Sequence, residues 1–323
     1  MQDLQDYCKP SSKADAIWPA LPLPPDAIEL WWRRWLLATA KDNQWKALRA
    51  ELPQLLVPPQ PLARLSDRYQ RLVLRGESPQ PKDLEVAPRL QDPKGFSITI
   101  ANHPCGAKPV LSVSDHDDFV LIMRCLAHRC ERISVQGTVH AQAVAGLIHW
   151  GLIRELDAKA RCQILILHRA PYSSLDASSI PNNPSQDQWI KQSQLWRLEH
   201  ELTHIACRKL AGEMRINLFD ELIADAIGMK TALGCFHADL FRQGIGLNRD
   251  GTIQENARAH AYIQTLDPNY HDLACQMVIA RAQELEQLLD EEQLPSNTMK
   301  LLKVLTQSTL DQPIKPRLQG CNT

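Results

Sequence analysis

The sequence predicts an α+β fold, with a small mixed sheet packed on a long helix, a mainly helical C-terminal half and an N-terminal helical extension. Three observations lead to this class. Short apolar runs typical of strands lie between residues 96 and 170. Longer segments with helical periodicity dominate from residue 187 onwards. Before residue 95, prolines interrupt the helical segments repeatedly.

These changes in character set the predicted domain boundaries. Residues 1–95 are expected to form a proline-rich helical extension, and residues 96–323 a single larger domain. Within that domain, residues 96–186 are the α/β part and residues 187–323 are the helical part.

The extension is expected to contain two helices and a linker. The first helix runs from Pro25 to Leu52, with Asp26 as its N-cap, and prolines after Leu52 end it. The second helix covers residues 62–74. Residues 76–93 contain four prolines and are interpreted as a linker.

The α/β part alternates between strand and helix patterns. The strand segments have alternating or continuously apolar residues, at 96–100, 110–113, 133–135 and 163–168. The helical segments have apolar residues three and four positions apart, at 117–130 and 139–158. Residues 171–184, rich in Ser, Asn and Pro, are interpreted as a loop.

The helical part opens with a segment from Asp187 to Ala211 that lacks Pro and Gly, after which Gly212 ends the helix. Its apolar stripe, on the side away from two histidines, consists of Leu195, Leu198, Leu202 and Ile205. The histidine side also carries apolar residues, so this helix is expected to be buried.

Further helices are expected after it. One begins behind Asn217, a suitable N-cap. The others are predicted from helical periodicity at residues 238–241, 253–266, 269–292 and 298–310.

The segment 187–211 contains the sequence HELTH, from His200 to His204. Residues four positions apart lie on one face of a helix, so the two imidazoles can bind the same metal ion. Glu201 lies beside them and can hold a water molecule on that metal. The motif therefore predicts a metal-dependent hydrolase site.

The next helix supplies acidic residues for the same site. Glu221 and Asp225 are four residues apart and share a face of the helix behind Asn217. A hydrolytic zinc site normally has three protein ligands. One of these carboxylates can complete that set, and the other can accept a hydrogen bond from a ligating histidine.

This pair of motifs resembles the gluzincin metallopeptidases, a zincin-like family that includes the thermolysin-like enzymes. The resemblance covers about residues 187–240 and rests on HELTH followed by E-x-x-A-D, with Ala224 and Gly228 in the expected places. The run GEMRINLFDELIADAIGM also resembles a group of uncharacterised bacterial proteins.

The resemblance implies a role for each residue. His200, His204 and Glu221 would bind zinc, Glu201 would be the general base, and Asp225 would bond to His200. It also implies a zincin-like fold, in which the small sheet lies over the helix that carries the histidines.

Catalysis would also need a donor that stabilises the developing oxyanion. The candidates share a position downstream of the second histidine, and they are Arg215, Arg258, His260, Tyr262, Tyr270 and His271. Of these, His260 and Tyr262 are the two selected here as catalytic residues.

Composition narrows the functional class. The net charge is −1, which gives no electrostatic basis for binding nucleic acid or a membrane surface. No apolar run reaches transmembrane length and the N-terminus lacks an apolar signal core. The nine cysteines form no C-x-x-C pair, which favours reduced thiols and a cytoplasmic protein.

The expected function is a zinc-dependent peptidase or amidase that acts on a peptide or a small amide. Two alternatives stay open at this point. One is a zinc-stabilised binding or regulatory protein without catalysis, and the other is a zincin-like enzyme acting on a non-peptide or modified-peptide substrate.

Overall fold

The computed structural model describes residues 2–13, 16–156, 162–212 and 215–314. The chain divides into two compact units, one formed by Met1–Pro19 with Pro171–Thr323 and the other by Ala20–Ala170. This division differs from the predicted boundary between residues 95 and 96. The expected α+β class is confirmed, with a small sheet and mainly helical content.

The helices, numbered along the chain, are α1 Leu4–Tyr7, α2 Ala27–Ala38, α3 Gln44–Glu51, α4 Pro81–Glu85, α5 His116–Leu126, α6 Trp150–Glu155, α7 Gln186–Ala211, α8 Leu218–Leu233, α9 Ala238–Ile245, α10 Ala259–Ile263, α11 His271–Asp290 and α12 Thr298–Thr306. A π-helix covers Tyr69–Leu74. None of the described helices combines the length and the apolar character needed to cross a membrane.

The sheet lies in the unit Ala20–Ala170. Its strands are β1 Ser97–Ala101, β2 Lys108–Val113, β3 Ala141–Leu147 and β4 Cys162–His168. Their order is β1-β2-β4-β3, with β2 parallel to β4 and the outer pairs antiparallel. The sheet is therefore mixed, as predicted.

Residues of the predicted extension complete the core of this unit. Trp31 and Trp32 of α2 belong to the same buried apolar cluster as Ile98 of β1 and Leu111 of β2. Helices α2 and α3 lie against the sheet because this contact removes the indoles of α2 and the side chain of Leu48 from water. This packing explains why no domain boundary falls at residue 95.

Several predicted elements of this unit were wrong. In the described part of the helix predicted at 139–158, Ala141–Leu147 pairs with β4 as strand β3 and Trp150–Glu155 forms α6. A bulge with Gly146 at φ +74° follows Val144. No strand forms at 133–135. The helix expected from Pro25 to Leu52 is split into α2 and α3 around a 3₁₀ turn.

The other unit is helical within its described residues. Ser185 caps α7 with a reciprocal bond to Gln188, and Gly212 ends it at φ +89°. Asn217 caps α8 as predicted, since its side chain accepts from the Asp220 amide. Of the helix expected at 253–266, only α10 forms.

The buried face of α7 is the histidine face. In the predicted leucine stripe, Leu202 is buried but Leu195 is 38% exposed. Trp189, Trp196 and His200 are buried instead, one or two helical turns apart. The side that packs inside the unit therefore carries the polar motif.

Candidate metal centre

The two histidines of HELTH lie one helical turn apart on the buried face of α7. Their Nε2 atoms are 3.0 Å apart, and both side chains are largely removed from solvent. Two imidazole nitrogens that face each other at this distance need either a hydrogen atom carried by one ring or a metal ion between them.

Glu221 of α8 supplies a third ligand atom at the same place. Its Oε1 lies 3.1 Å from Nε2 of His204, and its Oε2 lies 3.5 Å from Nε2 of His200. One ligand atom from each of the three residues lies within 4.8 Å of the others, so this buried group could hold a metal ion. Within the described residues, no other group of three His, Cys, Asp or Glu side chains meets this spacing.

Gly228 lets α7 and α8 approach closely enough to form this group. A Cβ atom at Gly228 would lie 2.7 Å from the backbone oxygen of Trp196 and 3.3 Å from the backbone nitrogen of His200. The backbones of the two helices therefore lie against each other at the level of the first histidine. Any larger residue at this position pushes them apart.

Asp225, one turn before Gly228 on α8, orients the first histidine. Its Oδ1 lies 2.7 Å from Nδ1 of His200 and also accepts from Nε1 of Trp196 at 3.0 Å. This bond places the imidazole proton on Nδ1 and leaves the Nε2 lone pair directed at Glu221 and His204.

Tyr172, in the loop before α7, is a part of the site that the sequence did not reveal. Its hydroxyl donates to Asp225 and lies 3.1 Å from Nδ1 of His200. Its ring stacks on Trp196 at a centroid distance of 4.1 Å, and its amide donates to Oγ of Ser193 at 3.0 Å. Burial, followed by the charge of Asp225, raises the pKa of Tyr172 well above its ordinary value, so the hydroxyl remains a donor.

Arg258 brings a fixed positive charge to the carboxylates. Its Nη2 donates to Oε2 of Glu221 at 2.7 Å, and its Nη1 donates to Oγ of Ser173 at 2.9 Å. Nη1 also lies 3.9 Å from Oδ2 of Asp225. Arg258 thus holds one oxygen of Glu221 and leaves the other directed at His204.

The cluster stabilises the charged forms of its members. Burial opposes ionisation of Glu221 and Asp225, but electrostatic interaction with His200, and then contacts with His204 or Arg258, outweigh it, so both carboxyl pKa values are lowered. Burial lowers the pKa of His204, but its hydrogen bond to Glu221 outweighs this and the net shift is upward. Both carboxylates are therefore ionised, and a proton on His204 competes with any metal ion.

Only one of the two selected oxyanion donors lies at this cluster. The Tyr262 hydroxyl interacts with Glu221 and Arg258, and burial raises its pKa, so the phenol is neutral. His260 is exposed and bonds to the carbonyl oxygen of Gln254 at 3.1 Å.

Of the other downstream candidates, Arg258 apart, Arg215 and His271 have partners elsewhere and Tyr270 is exposed. Nη2 of Arg215 lies 3.4 Å from a carboxylate oxygen of Asp6. Tyr270 is 39% exposed, and Nε2 of His271 lies 3.1 Å from the carbonyl oxygen of Leu266. The position of His260 and of these residues follows from tertiary packing and not from any feature of their local sequence.

Glu201 differs from its neighbours in being partly exposed. Its charge contributes to the raised pKa of His204 and acts on Arg197, four residues earlier on α7. Burial lowers the pKa of the Arg197 guanidinium to about 10, and Glu201 opposes that shift. A carboxylate that reaches solvent beside the buried ligands is suited to exchange protons with water.

Comparison with known proteins assigns the chain to a family but gives no activity. Residues 1–163 and 157–315 match the family of unknown function DUF7005, and the chain belongs to that family. No match was found among curated proteins or among solved structures.

Proposed function

We propose that this member of DUF7005 is a zinc-dependent hydrolase, a peptidase or amidase in which Glu201 is the general base. One observation carries the proposal. Two Nε2 atoms and a carboxylate oxygen converge in a buried site, with Asp225 behind the first histidine. This is the donor set of hydrolytic zinc sites that use two histidines and a glutamate.

The chemistry of the donors favours zinc among the divalent metals. Imidazole suits zinc, whereas a site made for calcium or magnesium presents oxygen ligands throughout. When bound, the metal supplies Lewis acidity, which polarises a substrate carbonyl and makes a water molecule more acidic.

Glu201 is the residue that accepts and later donates the proton in this proposal. It follows the first ligand directly in sequence and is the partly exposed carboxylate of the group. It accepts the proton of the attacking water and delivers it to the leaving nitrogen. A neutral amine can then depart.

Tyr262 is the proposed oxyanion donor. Its neutral phenol lies beside Glu221 and Arg258. A hydroxyl that keeps its proton can donate to the negative oxygen that develops on the substrate carbonyl. Arg258 adds positive charge at the same place, and Tyr172 keeps Asp225 in position behind His200.

We propose that the resemblance to zincins is confined to the pair of helices α7 and α8. α7 carries HELTH, α8 carries the two acids, and Gly228 brings the helices together.

A Glu201→Gln variant tests the proposal. The zinc-loaded protein is incubated with a peptide library and a set of small amides, and products are detected by mass spectrometry. Glu201→Gln should keep its zinc and lose about 100-fold or more in hydrolysis, since it cannot accept a proton. Glu199→Gln is the matched control. It makes the same change at a position about 200° around the helix from Glu201, so it should retain activity.

Two outcomes contradict the proposal in different ways. Full activity in Glu201→Gln would remove Glu201 as the base while leaving the metal site intact. A wild-type protein that binds zinc but cleaves no peptide or amide would favour one of two alternatives, a non-catalytic zinc-stabilised protein or an enzyme with a non-peptide substrate.

A further inference from the structure

A second cluster of reactive side chains lies just after the C-terminal end of α8. Glu221 of the candidate metal site lies in the first turn of the same helix. Sγ of Cys235 lies 3.1 Å from Nε2 of His237, and Nδ1 of His237 lies 3.3 Å from Oε1 of Glu286 on α11. The three groups form a chain of thiol, imidazole and carboxylate. His237 and Glu286 side chains are about one-third exposed, so the chain reaches solvent.

The spacing of this chain gives each group a defined role. Glu286 lies within ion-pair distance of Nδ1 of His237 and favours the tautomer with its proton there, which leaves a lone pair on Nε2. That lone pair faces the thiol and can accept its proton. A nucleophile, a base and a carboxylate that orients the base are the parts of an activated-thiol arrangement.

Cys235 is also the most accessible thiol of the described part of the chain. The other seven free cysteines there are buried, whereas Cys235 is partly exposed. Gly234, at φ +86°, ends α8 and starts the short connection that carries Cys235 and His237 to α9. A reagent in solution should therefore meet this thiol first.

The surrounding charges make the base necessary. Burial, followed by the charge of Asp290 on α11, raises the pKa of the Cys235 thiol; Glu286 acts in the same direction and Lys230 of α8 opposes it. Free thiolate is therefore scarce near neutral pH. The thiol can react quickly only if His237 takes its proton as the sulfur attacks.

We propose that Cys235 is a site of covalent modification by low-molecular-weight disulfides, with His237 as its base and Glu286 as the residue that positions His237. Sγ attacks one sulfur of the reagent, a new S–S bond forms and the S–S bond of the reagent breaks. The proton passes from Sγ to Nε2 of His237 and then to the departing thiolate. One protein thiol and one disulfide thus give a mixed disulfide and a free thiol.

The test measures reaction of the folded protein with glutathione disulfide. Cys321 lies outside the described residues, so all variants carry Cys321→Ser, and mass spectrometry locates and counts the adducts. We expect Cys235 to react first. His237→Gln should slow that reaction at pH 7 by about tenfold or more, because glutamine keeps a polar contact but cannot accept the proton.

A pH series and an unfolded control complete the design. In His237→Gln the rate should rise only at higher pH than in the parent protein, where free thiolate forms. In denaturant both proteins should react equally. Equal rates in the folded state, or first reaction at another cysteine, would overturn the proposal. It does not depend on the metal site.

Discussion

Replacing Gly228 by alanine tests whether the contact between α7 and α8 builds the metal centre. The added Cβ would lie 2.7 Å from the carbonyl oxygen of Trp196, whereas ordinary van der Waals contacts begin at 3.4 Å. The helices must therefore separate by about 0.7 Å at this level. The same shift would lengthen the 2.7 Å bond from His200 to Asp225 to about 3.4 Å, beyond the normal range.

The expected loss is in metal affinity more than in stability. Overpacking costs about 1–3 kcal/mol and the better helix propensity of alanine returns about 1 kcal/mol, so the free energy of unfolding should fall by about 0–2 kcal/mol. Loss of the hydrogen bond behind a ligating histidine typically weakens metal binding about 10- to 100-fold. Competition with a chromophoric zinc chelator measures this change, and thermal unfolding with and without zinc measures stability.

Gly244→Ala is the matched control. Gly244 lies in α9, where an added Cβ would be 3.6 Å from the nearest atoms of Ser173, an ordinary contact. We expect this variant to bind zinc as wild type does and to gain up to about 1 kcal/mol of stability. If Gly228→Ala bound zinc as tightly as Gly244→Ala, the helix contact would not set the geometry of the ligands.

Three further predictions concern the residues around the ligands. Asp225→Asn should bind zinc about 10- to 100-fold more weakly by chelator competition, because an amide is a poorer acceptor for the Nδ1 proton of His200; unchanged affinity would contradict its orienting role. Arg258→Met should lower the free energy of unfolding of the metal-free protein by about 3 kcal/mol, because the Glu221 side chain, only 2% exposed, loses its partner. In thermal melts, added zinc should restore part of this loss. Zinc affinity should fall with decreasing pH, because protons compete for Nε2 of His204. Its pKa is raised in the folded metal-free protein, so the fall should begin above pH 6.5, and a flat profile from pH 8 to pH 6 would contradict the assignment.

The sequence allowed the core of the site to be predicted because helical spacing is local. His200 with His204, and Glu221 with Asp225, are four residues apart, and both helices formed with the expected caps. Tyr172 could not be predicted in the same way. It lies in an irregular loop, and it reaches Asp225 only because Trp196 and Ser193 hold that loop on α7.

Other predictions failed where tertiary contacts override local patterns. Ala141–Leu147 carries enough alanine to suggest a helix, yet it pairs with β4 as an edge strand. The proline-rich segment before residue 95 suggested a separate extension, but Trp31, Trp32 and Leu48 belong to the same buried core as the sheet. Arg258 and His260 are two residues apart, and only packing decides that the arginine lies at the metal centre and the histidine does not.

The most direct measurement is the metal content of protein purified without added metal, compared between wild type and His204→Ala. The proposed centre predicts about one zinc per wild-type chain and none in the variant, with circular dichroism showing that both are folded. If neither protein contained zinc or took it up, and both were folded, the His200, His204 and Glu221 cluster would be a structural polar core and the hydrolase proposal would be wrong.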